Sequence, residues 1–143
     1  MARQEASVVI AYDGSEVSRA AVRQAAELFP GRPAVVVTVW EPGLAAVGVG
    51  PPDALGVSTF PDPATVEAVD RVQREHASTV AAEGAELARS LGLGAEPQAV
   101  PDAVDVAETV VDIARERDAA VVVTGSHGIT GLRSRLLGSA RAS

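Results

Sequence analysis

The residues with the clearest chemical potential lie between Val121 and Ser139, in the stretch VVVTGSHGITGLRSRLLGS. A short apolar run ends in Gly125, Gly128 follows three residues on, and Gly138-Ser139 closes a nine-residue excursion. Glycines let backbone N–H groups turn inward at positive φ, and clustered N–H groups form a concavity that suits an oxyanion. On spacing alone the pattern describes either a strand opening into a phosphate-holding loop or an ordinary glycine-rich turn. The charge distribution points the same way as the first reading. Residues 1–118 hold nine arginines against nineteen acids, whereas residues 119–143 hold Arg133, Arg135 and Arg141 and no acid. A local basic patch attracts a small polyanion, or it serves only as solvated surface.

The missing residue types exclude whole classes of chemistry. All twelve basic residues are arginine, so no lysine can reach the β- and γ-phosphates as in a P-loop, and none can form a Schiff base. The absence of cysteine removes disulfides, thiolate metal sites and thiol nucleophiles. A net charge of −7 argues against nonspecific nucleic-acid binding. No apolar run approaches the roughly 18 residues of a membrane span, and Met1 to Val8 has no secretory apolar region, so the expected location is the cytoplasm without a membrane partner.

At 143 residues the chain is expected to form a single domain over 1–143. Aromatics make up 3% of the residues against 47% apolar overall, so the core must be built from Val, Ala and Leu. Ser7 to Tyr12 is a short unbroken apolar run, as in a strand covered on both faces, and it ends at Asp13-Gly14-Ser15. Ser15 is a suitable N-cap for a helix over 16–29, with Val17, Ala21, Ala25 and Leu28 expected to face inward. Ala34 to Trp40 reads as a second buried strand, and two such strands joined by a helix imply a right-handed parallel unit. Glu41 to Pro63 carries five of nine prolines and four of thirteen glycines, a loop long enough to be either a cover over a ligand or a segment without a packed role.

Ala64 to Leu91 predicts one long helix with Val69, Val72, His76, Val80, Leu87 and Leu91 near its inner face, which makes His76 a boundary histidine satisfied by a neighbour. Glu96 to Val100 is a weak third strand. Asp105 and Glu108 resemble a capping box opening a helix to Arg117, with Val106, Val110 and Ile113 inward. Ala119 to Thr124 is the fourth strand. The alternation predicts an α/β fold, an open parallel sheet with helices on both faces, in which ligands sit beyond the carboxyl ends of the strands where their order reverses. Asp13, Val39 and Gly125 all fall at such ends.

Gly125, Gly128, Gly138 and Ser139 fit the G-x2-G-x9-G-(S/T) signature of the nucleotide-binding branch of the universal stress proteins. The first strand ending in Asp13 and the long loop after the second strand resemble that family too. The resemblance implies a Rossmann-like sheet of order 3-2-1-4-5, ATP as ligand with any Mg2+ held by its phosphates, and a role as a stress-response sensor or regulator. It implies that Asp13 accepts hydrogen bonds from the ribose hydroxyls, and that Val39 offers backbone groups to the adenine edge with Ala11 nearby. Gly125, His127 and Gly128 would line the phosphates, and Gly138, Ser139 and Ala140 would close around them. Each has a plainer reading: Asp13 as a turn residue, Val39 as core, His127 as an exposed loop histidine.

The family continues past its Gly-Ser pair with a helix and a fifth strand that commonly builds a homodimer, whereas this sequence stops at Ser143. The expectation is therefore a sheet of order 3-2-1-4, either because the sequence is a truncated reading of a longer polypeptide or because the protein lacks the usual dimer edge, and the phosphate grip and the homodimer are the least secure features the resemblance implies. No carboxylate pair or lysine accompanies the loop, so fast hydrolysis is not expected. Two alternatives to the nucleotide sensor stay open, a slow ATPase or phosphotransferase using Ser139 or His127, and an interaction module of the same fold without nucleotide.

Overall fold

The structure, a computed structural model, describes residues 7–43, 62–102 and 105–125. Their elements run β1 (Val8–Ala11), α1 (Glu16–Leu28), β2 (Pro33–Trp40), α2 (Pro63–Ser90), β3 (Gly94–Pro101), α3 (Val106–Glu116) and β4 (Val121–Val123). The four strands form one parallel sheet in the order β3-β2-β1-β4, as the sequence pattern and the family resemblance imply. Val8, Val9 and Ile10 pair with residues 34–36 on one side and 121–123 on the other, so β1, like β2, is an interior strand.

Successive strand residues point to opposite faces, and this period of two divides the core. Val8, Ile10, Tyr12, Ala34 and Val36 pack with Val22 and Ala25 of α1 and Ala85 and Ala88 of α2. Val9, Ala11, Val35 and Val37 pack with Ala107, Val110 and Ile113 of α3. Both faces are covered, which is why β1 and β2 read as unbroken apolar runs instead of alternating ones.

Each described helix starts at a capping side chain. Ser15 accepts from the Ser18 amide at 3.1 Å, Asp62 from the Thr65 amide at 2.7 Å, and Asp105 from the Glu108 amide at 2.7 Å. Asp62 followed by Pro63 starts α2 one residue before the expected Ala64, inside the segment read as loop. β3 is also longer than expected, because Pro97 and Pro101 sit on an edge strand, where a missing N–H costs no ladder bond.

The inner faces of two helices follow the sequence expectation only in part, with Ala21 and Ala25 buried and Val80 and Leu87 packed partly buried against the core. In α1 the buried positions are Ser18, Ala21, Val22, Ala25 and Ala26, while Leu28 is 67% exposed. In α2 they are Ala77, Ala81, Gly84, Ala85 and Ala88; Val72 and Leu91 are exposed and so is His76, so the boundary-histidine reading fails. At 1.5 Å per residue α2 is about 42 Å long, against about 26 Å for an eight-residue strand, so its first half extends beyond the sheet. Its second half carries small residues because the helix lies close to the strands. A Cβ on Gly84 would stand 2.7 Å from Tyr12 Cδ1 and 2.8 Å from Val36 Cγ1.

Candidate functional site

The sheet order reverses at β1: α1 and α2 cover one face and α3 the other. Where the chains leave β1, β2 and β4 a cleft of about 220 Å³ opens. Ala11, Val37, Thr38 and Val39 come from the sheet, Val106 and Val110 from α3, Tyr12, Asp13 and Ser15 from the β1–α1 turn and Ser18 from α1, with Thr124 and Gly125 completing the lining. Four site residues named from the sequence, Ala11, Asp13, Val39 and Gly125, therefore meet in one crevice. His127, Gly128, Gly138, Ser139 and Ala140 lie outside the described residues.

Local hydrogen bonding fixes Asp13. Gly14 has φ +84°, a conformation that disfavours any residue with a Cβ, and it turns the chain so that the Ser15 amide donates to Asp13 Oδ1 at 2.9 Å. The Asp13 amide faces Ser18 Oγ at 3.4 Å, and that hydroxyl donates to the Ser15 carbonyl at 2.9 Å. The turn-residue reading of Asp13 is thus correct as far as it goes. A carboxylate offers about four acceptor sites, so this turn leaves capacity directed to solvent and cleft. Burial pushes the Asp13 carboxyl up, but hydrogen bonds from Ser15 and Ser18 outweigh it and hold the group below its ordinary 3.8. Asp13 is therefore an anion at neutral pH, able to accept from hydroxyls and unable to donate.

Two buried hydroxyls support this arrangement, and the site prediction did not include them. Thr38 Oγ1 donates to the Tyr12 carbonyl at 2.9 Å while the Tyr12 amide donates to the Val37 carbonyl at 2.9 Å, so the exit of β1 is bound to β2 just before Asp13. Ser18 holds the following turn from α1, with its Oγ facing the Asp13 amide and donating to the Ser15 carbonyl. The signal was present in each case, as a lone hydroxyl in the apolar run AVVVTVW and a serine on the buried face of a helix.

Gly125 differs from its expected role in one respect. It does not adopt positive φ; it is required because the chain leaving β4 passes against the first turn of α1. A Cβ there would lie 2.4 Å from Val17 Cγ1 and 3.0 Å from the Val17 carbonyl carbon and oxygen. The residue therefore sets how closely the β4 exit approaches the α1 N-terminus, where free amides and the helix dipole favour negative charge.

Among the described residues no three His, Cys, Asp or Glu side chains cluster as a metal site, and no helix is long and apolar enough to cross a membrane. No curated protein sequence matches the chain. Its fold is shared with a universal stress protein family member from Burkholderia pseudomallei, at 24% identity and TM-score 0.68 over 99% of this chain and 94% of that one. A universal stress protein from Archaeoglobus fulgidus in complex with dAMP aligns at 20% identity and TM-score 0.61, over 94% of this chain and 91% of its own. A further universal stress protein, in complex with cAMP, aligns at 23% identity and TM-score 0.58, over 97% and 88%. At these identities the likeness establishes the fold. The sequence profile of the universal stress protein family, however, matches residues 6–142, nearly the whole chain, and on that match the chain belongs to the universal stress protein family.

Proposed function

We propose that the cleft binds an adenine nucleotide, ATP in the first instance, and that the protein acts as a nucleotide-dependent stress-response regulator. The observation that carries this reading is the meeting of Asp13 and Gly125 on one crevice at the reversal of strand order. In the proposed pose the base lies over Ala11, Val37 and Val39 against Val106 and Val110, and backbone groups near Val39 meet its edge. Asp13 accepts from the ribose hydroxyls. The phosphates run past Gly125 and the α1 N-terminus towards His127, Gly128, Gly138, Ser139 and Ala140, with any Mg2+ held by the phosphates themselves.

The size of the cleft fits this division. At about 220 Å³ it falls below the roughly 300–1,000 Å³ of pockets that enclose a drug-sized ligand, so it accounts for a nucleoside and leaves the phosphates to the glycine signature. Relatives solved with dAMP and cAMP support the ligand class. A single ligand touching residues 11–39 and 125–140 would couple those segments, which is the physical basis of a sensor.

Native mass spectrometry of the full chain as purified, followed by thermal unfolding with ATP, ADP and AMP, tests the proposal. A ligand at about 100 times its Kd adds roughly 2.7 kcal/mol, a shift of roughly 8 °C for a domain of this size. No bound nucleotide and no shift with any of the three would refute it.

A further inference from the structure

On the α2 side of the cleft lies a second hollow of about 310 Å³, which the proposed pose leaves empty. The two hollows adjoin along Asp13, Thr38, Val39 and Val106; the second adds Trp40 at the end of β2, Glu41 just after it, and Gln73, His76, Ala77 and Val80 from α2. Its charge is one-sided. Two acidic residues, Asp13 and Glu41, line it, His76 is the sole basic side chain among the described residues that do, and Arg74, outside the lining, stacks over the Trp40 ring at 5.9 Å. At the first hollow, by contrast, Gly125 lies against the first turn of α1, where the helix dipole favours negative charge.

Asp13 stands between the two hollows. If it holds the ribose hydroxyls, as the nucleotide reading on which this inference rests requires, the second hollow lies beyond the 2′ and 3′ oxygens. We propose that this hollow is a charge filter on the sugar edge and that Glu41 is its specificity-determining residue. It admits nucleotides with a free ribose edge and rejects those carrying a phosphate on the 2′ or 3′ oxygen. A phosphate there would share the hollow with Asp13 and Glu41, with no arginine among the described residues that line it, and like charges at a few ångströms repel even in a solvated site.

The test is calorimetric titration of the full chain at low salt with AMP, adenosine 2′,5′-bisphosphate and adenosine 3′,5′-bisphosphate. Wild type should bind AMP at least roughly tenfold more tightly than either bisphosphate. Glu41→Gln should narrow that gap by roughly three- to tenfold and leave AMP affinity unchanged, whereas Glu41→Asp should keep the gap; added salt should narrow it in wild type. Trp40, the only tryptophan, lines the second hollow and reports ligand there by its fluorescence. Equal wild-type affinity for AMP and the bisphosphates, or an unchanged gap in Glu41→Gln, overturns the filter while leaving nucleotide binding intact. Loss of AMP binding in Glu41→Gln would place Glu41 in the binding machinery and also overturn it. No binding of AMP or ATP by wild type overturns both readings.

Discussion

Replacing Gly84 by alanine sets two effects of known size against each other. In an exposed helix the change would stabilise by about 1 kcal/mol, because glycine is the poorer helix former. Here the added Cβ would meet three atoms below 3.0 Å: Tyr12 Cδ1 at 2.7 Å, Tyr12 Cγ at 2.8 Å and Val36 Cγ1 at 2.8 Å. Carbon atoms pack best at about 3.5–4.0 Å, so α2 and the sheet would have to separate by up to about 1 Å. Neither neighbour can yield easily. Tyr12 is 3% and Val36 0% exposed, and Val36 sits in the middle of a strand paired on both sides. Overpacking of this kind costs about 1–3 kcal/mol, which set against that gain leaves an expected net destabilisation of up to about 2 kcal/mol. Urea unfolding with an unchanged m-value is the assay. The displacement also reaches the site, since Tyr12 precedes Asp13, so nucleotide affinity should fall in the same variant. An alanine variant more stable than wild type would show that helix propensity governs and that the close α2–sheet approach is not a constraint.

Gly125→Ala should force the β4 exit away from Val17, destabilising by about 1–3 kcal/mol and weakening nucleotide binding, measured by denaturation and calorimetry; unchanged values in both would refute the close-approach argument. Thr38→Val removes the donor to the buried Tyr12 carbonyl and should cost about 1–3 kcal/mol in urea unfolding. The depressed pKa of Asp13 fixes the sign of its pH dependence. Its contribution to stability is complete above the ordinary carboxylate value and is lost as pH falls through the lower folded value. Wild type and Asp13→Asn should therefore show parallel stabilities from pH 5 to 8 and converge in the acid limb, and an Asp13-dependent slope near neutrality would contradict this.

Strand positions and helix starts were readable because they depend on local chemistry. Apolar runs ended by Asp13-Gly14-Ser15 and by Gly125, and caps such as Ser15 and Asp105, mark their elements without reference to the rest of the fold. The inner faces of α1 and α2 were not readable in the same way. Valine and leucine periodicity pointed to Val72 and Leu28, yet what the fold selects is small size where a helix lies near the sheet, and that distance is a tertiary quantity. His76 followed the same error. At the site, Asp13, Ala11, Val39 and Gly125 line one crevice, since strand ends in a parallel sheet converge on a reversal. Thr38 and Ser18 were missed because a lone hydroxyl in an apolar element shows its purpose only once its partner carbonyl is known.

The central claim is tested most directly by amide chemical-shift mapping of the full chain on titration with ATP. The account predicts saturable shifts concentrated at residues 11–15, 37–39, 106–110, 124–128 and 138–140, attenuated in Asp13→Asn. No shifts at saturating ATP, or shifts confined to residues away from these strand ends, would contradict it.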